Sequence, residues 1–171
     1  LKDDRSPVTV ADYAAQAIVS MVLREGIDDP ALQRIVGEED GSELATAENT
    51  PVRDAVTQAV RSWRPGTSES DVLAAIDACN HDASGDVWWT LDPVDGTKGF
   101  LRGGQYAIAL GLLQDGVVEA GILGCPNLSI DPGRDPAIAD REGSGLLYGA
   151  QRGHGAWEFR DGDPTAAALR I

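Results

Sequence analysis

Apolar residues recur at helical spacing in the first half of the chain. Residues 9–23 place five of them on one helical face: Val10, Ala14, Ala17, Ile18 and Met21. Thr9 is the expected cap of this helix. A second helix is predicted to begin at Thr50-Pro51 and to end before Pro65-Gly66. A third is predicted over about residues 70–79, so this half of the chain is predicted to be mainly helical.

Short apolar runs bounded by turn residues follow, and they predict strands. The runs cover residues 35–37, 88–91, 145–150 and 156–159. Residues 106–113 and 117–123 flank Asp115-Gly116, which predicts a β-hairpin. The proline-rich and glycine-rich segment 131–136 is typical of a surface loop. Helices followed by mostly adjacent strands predict a layered α+β fold with a mixed, largely antiparallel sheet.

Composition narrows the classes of partner. The 171 residues are expected to form one domain, and their formal charge of −14 argues against nucleic acid or an anionic membrane as a partner. Cys79 and Cys125 are far apart and lack metal-ligand spacing, which predicts reduced thiols. The chain carries neither a long apolar run nor a signal segment. We therefore expect a cytoplasmic protein, with organellar targeting left open because the N-terminus looks incomplete.

Two acids follow the apolar strand that contains Trp88 and Trp89. Pro93 removes a backbone donor, so the ladder is expected to stop and leave Asp92 and Asp95 on an irregular turn. Both carboxylates and the Val94 carbonyl can then point at one spot. Three hard oxygen ligands suit Mg²⁺, which keeps several waters and also takes phosphate oxygens.

The residues after Asp95 suit an anion. Gly96 lets a ligand approach the backbone, and Thr97 is the expected cap of a short helix whose free amides would face a phosphate. The alternative is that Asp95-Gly96 is only a hairpin turn. Asp115-Gly116 offers a comparison, because strand-like residues flank it on both sides, whereas no strand alternation follows Gly96.

The motif around these acids resembles a known family. Asp92-Pro93-Val94-Asp95-Gly96-Thr97 is similar to the signature of the lithium-sensitive, magnesium-dependent phosphatases that include inositol monophosphatase and fructose bisphosphatase. Three further groups match in the same order: Ser6-Pro7-Val8-Thr9 with Asp12-Tyr13-Ala14-Ala15-Gln16, Val36-Gly37-Glu38-Glu39, and Gly124-Cys125-Pro126-Asn127-Leu128. The extension Lys98-Gly99-Phe100-Leu101-Arg102-Gly103 resembles the eukaryotic 3'(2'),5'-bisphosphate nucleotidases more than the inositol phosphatases. Residues 129–143 are the least family-like stretch.

The resemblance implies roles for the matched residues. Glu38, Asp92, the Val94 carbonyl and Asp95 would hold two or three Mg²⁺ ions, with Glu39 a doubtful addition. Asp12 and Thr97 would orient the attacking water, and the amides of Gly96 and Thr97 would bind the substrate phosphate. Both acids also have a structural alternative: Asp12 could complete a capping box with Thr9, and Glu38 could lie on a solvated edge. His81 and His154 are expected to be structural or exposed. Lys98 and Arg102 could steer phosphate or only balance charge, and neither is expected to bind the metal.

The implied function is Mg²⁺-dependent, lithium-sensitive removal of the 3'-phosphate from adenosine 3',5'-bisphosphate and 3'-phosphoadenylyl sulfate. Residues 1–171 would form the N-terminal metal-binding half of an αβαβα sandwich, with the C-terminal domain absent from this chain and at most weak activity expected of it alone. The alternatives are an inositol polyphosphate phosphatase and a non-catalytic metal- or phosphate-binding fragment. The expected partner is a small nucleotide bisphosphate.

Overall fold

The computed structural model describes residues 7–160 and 169–170, and it divides into a helical half and a sheet half. The described helices are α1 (Pro7–Gly26), α2 (Gly41–Leu44), α3 (Thr50–Trp63), α4 (Glu69–Asp77) and α5 (Thr97–Leu101). The described strands are β1 (Ile35–Val36), β2 (Val87–Asp95), β3 (Ala107–Gln114), β4 (Val117–Cys125), β5 (Leu146–Gln151), β6 (Gly155–Arg160) and β7 (Leu169–Arg170). Single 3₁₀ turns occupy Pro30–Leu32 and Ala47–Asn49.

The seven described strands form one sheet in chain order, from β1 to β7. Among the described strands only β1 and β2 pair in parallel, and α2, α3 and α4 form the long crossover between them that a parallel pair needs. Each later described pair is antiparallel. The predicted α+β class with a mixed, largely antiparallel sheet is confirmed.

The helices pack on one another through the predicted apolar faces. Val56 and Val60 of α3 and Val72 and Ile76 of α4 are fully buried against α1, where Ala17 is also fully buried. Burying one such aliphatic side chain contributes about 2 kcal/mol relative to leaving it in water. This packing makes the three helices one layer.

A second, smaller cluster joins that layer to the sheet. Ile35 of β1, Leu91 of β2 and Cys79 are buried together, and Val19 and Leu23 of α1 pack against them. The helices therefore cover one face of the sheet at β1 and β2. The layered αβ arrangement is confirmed in the described part of the chain.

The N-terminal caps of the helices differ from those expected. The first helix includes Pro7, so Thr9 lies inside it and is not its N-cap. Asn49, not Thr50, is the N-cap of α3, because Thr50 already has helical backbone angles. Ser68 caps α4 and forms a reciprocal capping box with Asp71.

None of the helices in the described ranges is both long and apolar enough to cross a membrane.

The predicted hairpin is present as β3 and β4. Asp115 and Gly116 both have positive φ angles, 52° and 74°, which is the backbone of a two-residue turn with matching twist. The strands predicted at 145–150 and 156–159 are also present, as β5 and β6.

Candidate metal and phosphate site

The site begins where β2 passes its proline. β2 does not stop at Pro93, as the sequence predicted, but continues to Asp95. Asp92 pairs with Ala109 and Asp95 with Ala107, so β2 uses one more residue than β3 over this step. The extra residue makes a β-bulge, which is where a proline without a backbone N–H is tolerated in a sheet.

The bulge turns a backbone donor toward an acid of the site. The Val94 amide donates to Oδ1 of Asp92 at 3.1 Å, while the Val94 side chain is buried at 3% exposure. The buried Val94 anchors the bulge in the protein interior. The bulge that carries the two acids is therefore anchored in the interior, and the carboxylates lie on its outer side.

Asp92 and Asp95 lie close enough to influence one another. Partial burial raises the pKa of Asp92, and the negative charge of Asp95 raises it further, while the bond from the Val94 amide opposes both effects. A cation between the two carboxylates would remove this repulsion. Asp95 is exposed and Asp92 is half-buried, so the pair is open to solvent.

The turn after Asp95 differs from its prediction in one detail. Gly96 has φ of 90° and is the N-cap of α5, so Thr97 is the first helical residue and not the cap. The Thr97 hydroxyl instead donates to the Val94 carbonyl at 3.3 Å. A carbonyl oxygen has two lone pairs, so this bond still leaves one for a cation.

Asp12 reaches this region on α1. Its side chain is buried at 6% exposure, and α1 contacts the short helix α5 that begins with Thr97. The structure thus places the helix of Asp12 beside the helix of Thr97. The pairing of the two side chains stays a prediction.

Glu38 follows the carboxyl end of β1. Val36 pairs with Thr90 in the parallel register. Two residues further along the chain from each of them stand Glu38 and Asp92, which therefore follow the same end of the β1–β2 pairing. The Gly37 amide donates to the Cys79 carbonyl at 2.8 Å, which directs the chain out of the sheet. Glu38 is exposed, so its side chain is accessible to solvent.

Sequence reasoning gave no role to Gln16, which holds this segment. Gln16 is fully buried on α1, and its carboxamide bonds both the amide and the carbonyl of Glu39. A β-carbon on Gly37 would lie 2.5 Å from Oε1 of Gln16, so only glycine fits there. Gln16 lies outside the predicted apolar face of α1, on the side of Val19 and Leu23 that packs toward the sheet, so the predicted face did not single it out.

These residues fit Mg²⁺ in part. In the described ranges, no three His, Cys, Asp or Glu side chains come together as a group that could hold a metal ion, so Glu38 does not join Asp92 and Asp95 in one cluster. The carboxylates of Asp92 and Asp95 and the Val94 carbonyl remain. Mg²⁺ characteristically binds one or two carboxylates, keeps waters and takes substrate phosphate oxygens, so this donor set fits it.

Neither histidine lies in the site. The His81 amide donates to the Ile35 carbonyl at 3.0 Å, and its ring faces Asp82 at 3.9 Å. The His154 ring bonds the Arg152 carbonyl in the β5–β6 turn. Lys98 lies on α5 and Arg102 directly after it, and the Arg102 side chain is exposed.

An apolar groove opens beside the acids on the sheet face. Its volume is about 620 Å³, and Thr90, Asp92, Gly111, Gly121 and Ala150 are among the residues that line it. Leu110, Ile122 and Leu123 supply apolar surface to its lining. The groove therefore joins an apolar surface to a carboxylate of the site.

Known proteins resemble the chain over nearly its whole length. Over 189 residues it is 38% identical to 3'(2'),5'-bisphosphate nucleotidase 2 of Candida albicans, covering 99% of this chain and 50% of that protein. It is 40% identical to 3'(2'),5'-bisphosphate nucleotidase 1 of Arabidopsis thaliana, covering 91% of this chain and 47% of that protein. The chain thus spans about half the length of these relatives.

Among solved structures, CysQ from Bacteroides thetaiotaomicron, a bacterial member of the inositol monophosphatase family, is 20% identical. The match covers 92% of this chain and 50% of that one with a TM-score of 0.35, a value too low to support an argument. The model of the inositol monophosphatase family itself matches residues 4–167, a span that includes the Asp92 bulge, Glu38 and Asp12. By that match, the chain belongs to the inositol monophosphatase family.

Proposed function

We propose that this chain is the N-terminal, metal-binding half of a Mg²⁺-dependent phosphomonoesterase that is sensitive to lithium. Its substrates would be adenosine 3',5'-bisphosphate and 3'-phosphoadenylyl sulfate, which would lose the 3'-phosphate. The paired carboxylates of Asp92 and Asp95 on a buried bulge are the observation that carries the proposal. The relatives named as bisphosphate nucleotidases support the choice of substrate.

The acids of the site would hold two or three Mg²⁺ ions. Asp92, the Val94 carbonyl and Glu38 would bind one, and Asp92 and Asp95 would share a second. Bound Mg²⁺ supplies positive charge to the phosphate oxygens and lowers the pKa of a coordinated water. The raised pKa of Asp92 supports this role, because a cation relieves the repulsion from Asp95.

The residues of α1 and α5 would act on the water and the phosphate. Thr97, with Asp12, would orient a water for in-line attack on phosphorus. The amides of Gly96 and Thr97 would donate to the phosphate oxygens as negative charge moves onto them. The contact between α1 and α5 supports the pairing of Asp12 with Thr97.

The most direct test is phosphate release. We would assay adenosine 3',5'-bisphosphate and inositol 1,4-bisphosphate, with Mg²⁺ and with added Li⁺, using this chain and the longest parent open reading frame. We expect Mg²⁺-dependent, Li⁺-inhibited turnover of the nucleotide by the parent and weak activity of the chain alone. Absence of Mg²⁺-dependent turnover of the nucleotide by either protein would contradict the proposal.

Variants make the assay specific to the site. Asp92→Asn should abolish turnover by the parent protein, because it removes a ligand that both metal positions share. Asp54→Asn, on the exposed face of α3, is the matched control and should leave turnover unchanged. Equal losses in the two variants would remove the role given to Asp92.

Two other functions have some support. The family match favours an inositol polyphosphate phosphatase with the same metals, and faster release from inositol 1,4-bisphosphate would identify it. The separation of Glu38 from the Asp92–Asp95 pair, within the described ranges, favours a non-catalytic metal- or phosphate-binding fragment. Exposed apolar side chains such as Leu123, at 44% exposure, would make such a fragment prone to self-association.

We place the reaction in the cytoplasm, with a small molecule as the partner. The free thiols of Cys79 and Cys125 suit a reducing compartment. The net charge of −14 disfavours nucleic acid and anionic membranes as partners.

A further inference from the structure

The turn that follows α5 is bound by a later segment of the chain. Three consecutive carbonyls, those of Arg102, Gly103 and Gly104, accept hydrogen bonds from the segment 126–141. Arg141 donates from Nη2 to Arg102 at 3.1 Å and from Nε to Gly103 at 2.8 Å. Asn127 donates from Nδ2 to Gly104 at 2.6 Å. The carbonyls of the turn after α5 are therefore satisfied by two side chains that lie far along the chain.

The contact also runs in the opposite direction. Gln105 donates from Nε2 to the carbonyls of Asn127 at 3.0 Å and Pro136 at 2.9 Å. The Asp140 amide donates to the same Asn127 carbonyl at 2.8 Å. The two ends of the segment 126–141 are therefore hydrogen-bonded to each other where the segment contacts the turn.

Two glycines make the contact tight. A β-carbon on Gly103 would lie 1.8 Å from Nη2 of Arg141, and one on Gly99 would lie 1.9 Å from the Gln105 carbonyl oxygen. Both distances are far below van der Waals contact. The Gly99 contact is with backbone, so a side chain there would displace α5, whereas the Gly103 contact is with the end of the Arg141 side chain.

A helix as short as α5 cannot fix its own position. Its five residues form about one turn, and an isolated helix of that length is unstable in water. Its beginning is tied to β2 through Thr97 and Val94, and Phe100 packs edge-to-face on Tyr106 with ring centroids 4.9 Å apart. Its end depends on Arg141 and Asn127.

We infer that Arg141 and Asn127 are positioning residues that hold α5, and with it Thr97, in the geometry used to orient the attacking water. The inference rests on the function proposed above. It assigns a role to Arg141, which lies in residues 129–143, the stretch that resembles the family least.

Hydrogen exchange measured on this chain tests the positioning directly. We would compare Arg141→Ala and Asn127→Ala with the unsubstituted protein and with Arg134→Ala as the matched control. Arg134 belongs to the same segment, but it bonds the Ala139 carbonyl and pairs with Asp140 at 3.2 Å instead of contacting the turn. We expect at least about tenfold faster exchange over residues 97–104 in the first two variants and no change in the control.

The location of the change decides the result. Exchange over residues 56–60 of α3, in the helical core, should stay the same in every variant. Unchanged exchange over 97–104 in Arg141→Ala would overturn the inference. An equal acceleration over 56–60 would also overturn it, because the effect would then be general destabilisation.

Kinetics of the parent protein test the link to Thr97. We expect kcat to fall about tenfold in Arg141→Ala with KM unchanged, because a misplaced water lowers the rate without weakening binding. Arg141→Lys, which keeps the charge and donors but lacks the planar fork of the guanidinium, should recover part of the loss. A loss confined to KM would overturn the inference. If the unsubstituted parent shows no turnover, the proposed function fails, and exchange alone decides whether the segment positions α5.

Discussion

The Gln16 carboxamide bonds both backbone groups of Glu39: Nε2 donates to the Glu39 carbonyl at 2.7 Å, and Oε1 accepts from the Glu39 amide at 3.0 Å. The side chain of α1 thus takes the place of a neighbouring strand for the segment after β1. Glu38 precedes this clamped residue, so its position depends on Gln16.

Replacing Gln16 should therefore destabilise the protein. Gln16→Ala leaves a buried amide and carbonyl without partners and a cavity between α1 and the sheet, so we expect the free energy of unfolding to fall by about 3 kcal/mol. Urea denaturation measures this. Gln58→Ala, on the exposed side of α3, is the control and should change the free energy by less than about 0.5 kcal/mol. Equal values for the two variants would contradict the clamp.

Gly37 should tolerate no side chain. In Gly37→Ala the new methyl group would meet Oε1 of Gln16 at 2.5 Å and Cβ of Cys79 at 2.8 Å, so we expect a loss of about 1–3 kcal/mol in the free energy of unfolding. Gly26→Ala is the matched control. A methyl group on Gly26, at the end of α1, would have open space within 4 Å, and this variant should be neutral or slightly more stable. A neutral Gly37→Ala would show that the segment can move away from Gln16.

Mg²⁺ should stabilise the folded chain through Asp92. A ligand that binds only the folded state raises Tm with concentration, so we expect a Mg²⁺-dependent rise in the unsubstituted chain and none in Asp92→Asn. Titration calorimetry should likewise show binding that the substitution abolishes. Asp54→Asn should behave as the unsubstituted chain. Retention of the Mg²⁺ response in Asp92→Asn would remove the metal site from this bulge.

The capping box of α4 predicts a dependence of stability on pH. The Ser68 hydroxyl and amide hold the pKa of the Asp71 carboxyl below its usual value. The unfolded state then binds more protons, so the contribution of Asp71 is present above its unfolded pKa of about 3.9 and is lost as the pH falls through the lower folded pKa. The stability difference between the unsubstituted chain and Asp71→Asn should be constant near neutral pH and shrink below about pH 4, as measured by urea denaturation. A difference that grows in acid would contradict this assignment.

Local patterns predicted the elements that depend on local physics. The helical spacing of Val56 and Val60 and the Asp115-Gly116 turn identified α3 and the β3–β4 hairpin, because both features act within a few residues. The course of β2 past Pro93 was predicted wrongly. Local rules say only that proline cannot donate, whereas pairing with β3 on both sides of the bulge carries the strand through.

The same distinction between local and long-range contacts applies to the residues of the site. Asp92, Asp95, Gly96 and Thr97 lie within six consecutive positions, so their proximity follows from the sequence alone. The hydrogen bonds from Gln16 and Arg141 connect residues more than twenty positions apart, and no periodicity of the sequence encodes them. Gln16 lies on the side of α1 that carries Val19 and Leu23, away from the predicted apolar face, so the helical pattern gave no sign of its contact.

The parallel pairing of β1 with β2 also has a consequence for how the site assembles. From β2 onward each described strand adds to the strand just before it in the chain, which costs little loop entropy and is fast. β1 must instead wait until α2, α3 and α4 have been ordered before it can pair. We expect the end of β1, which bears Glu38, to gain protection last in pulse-labelled refolding, so that the hairpin strands form before the acids of the site are assembled.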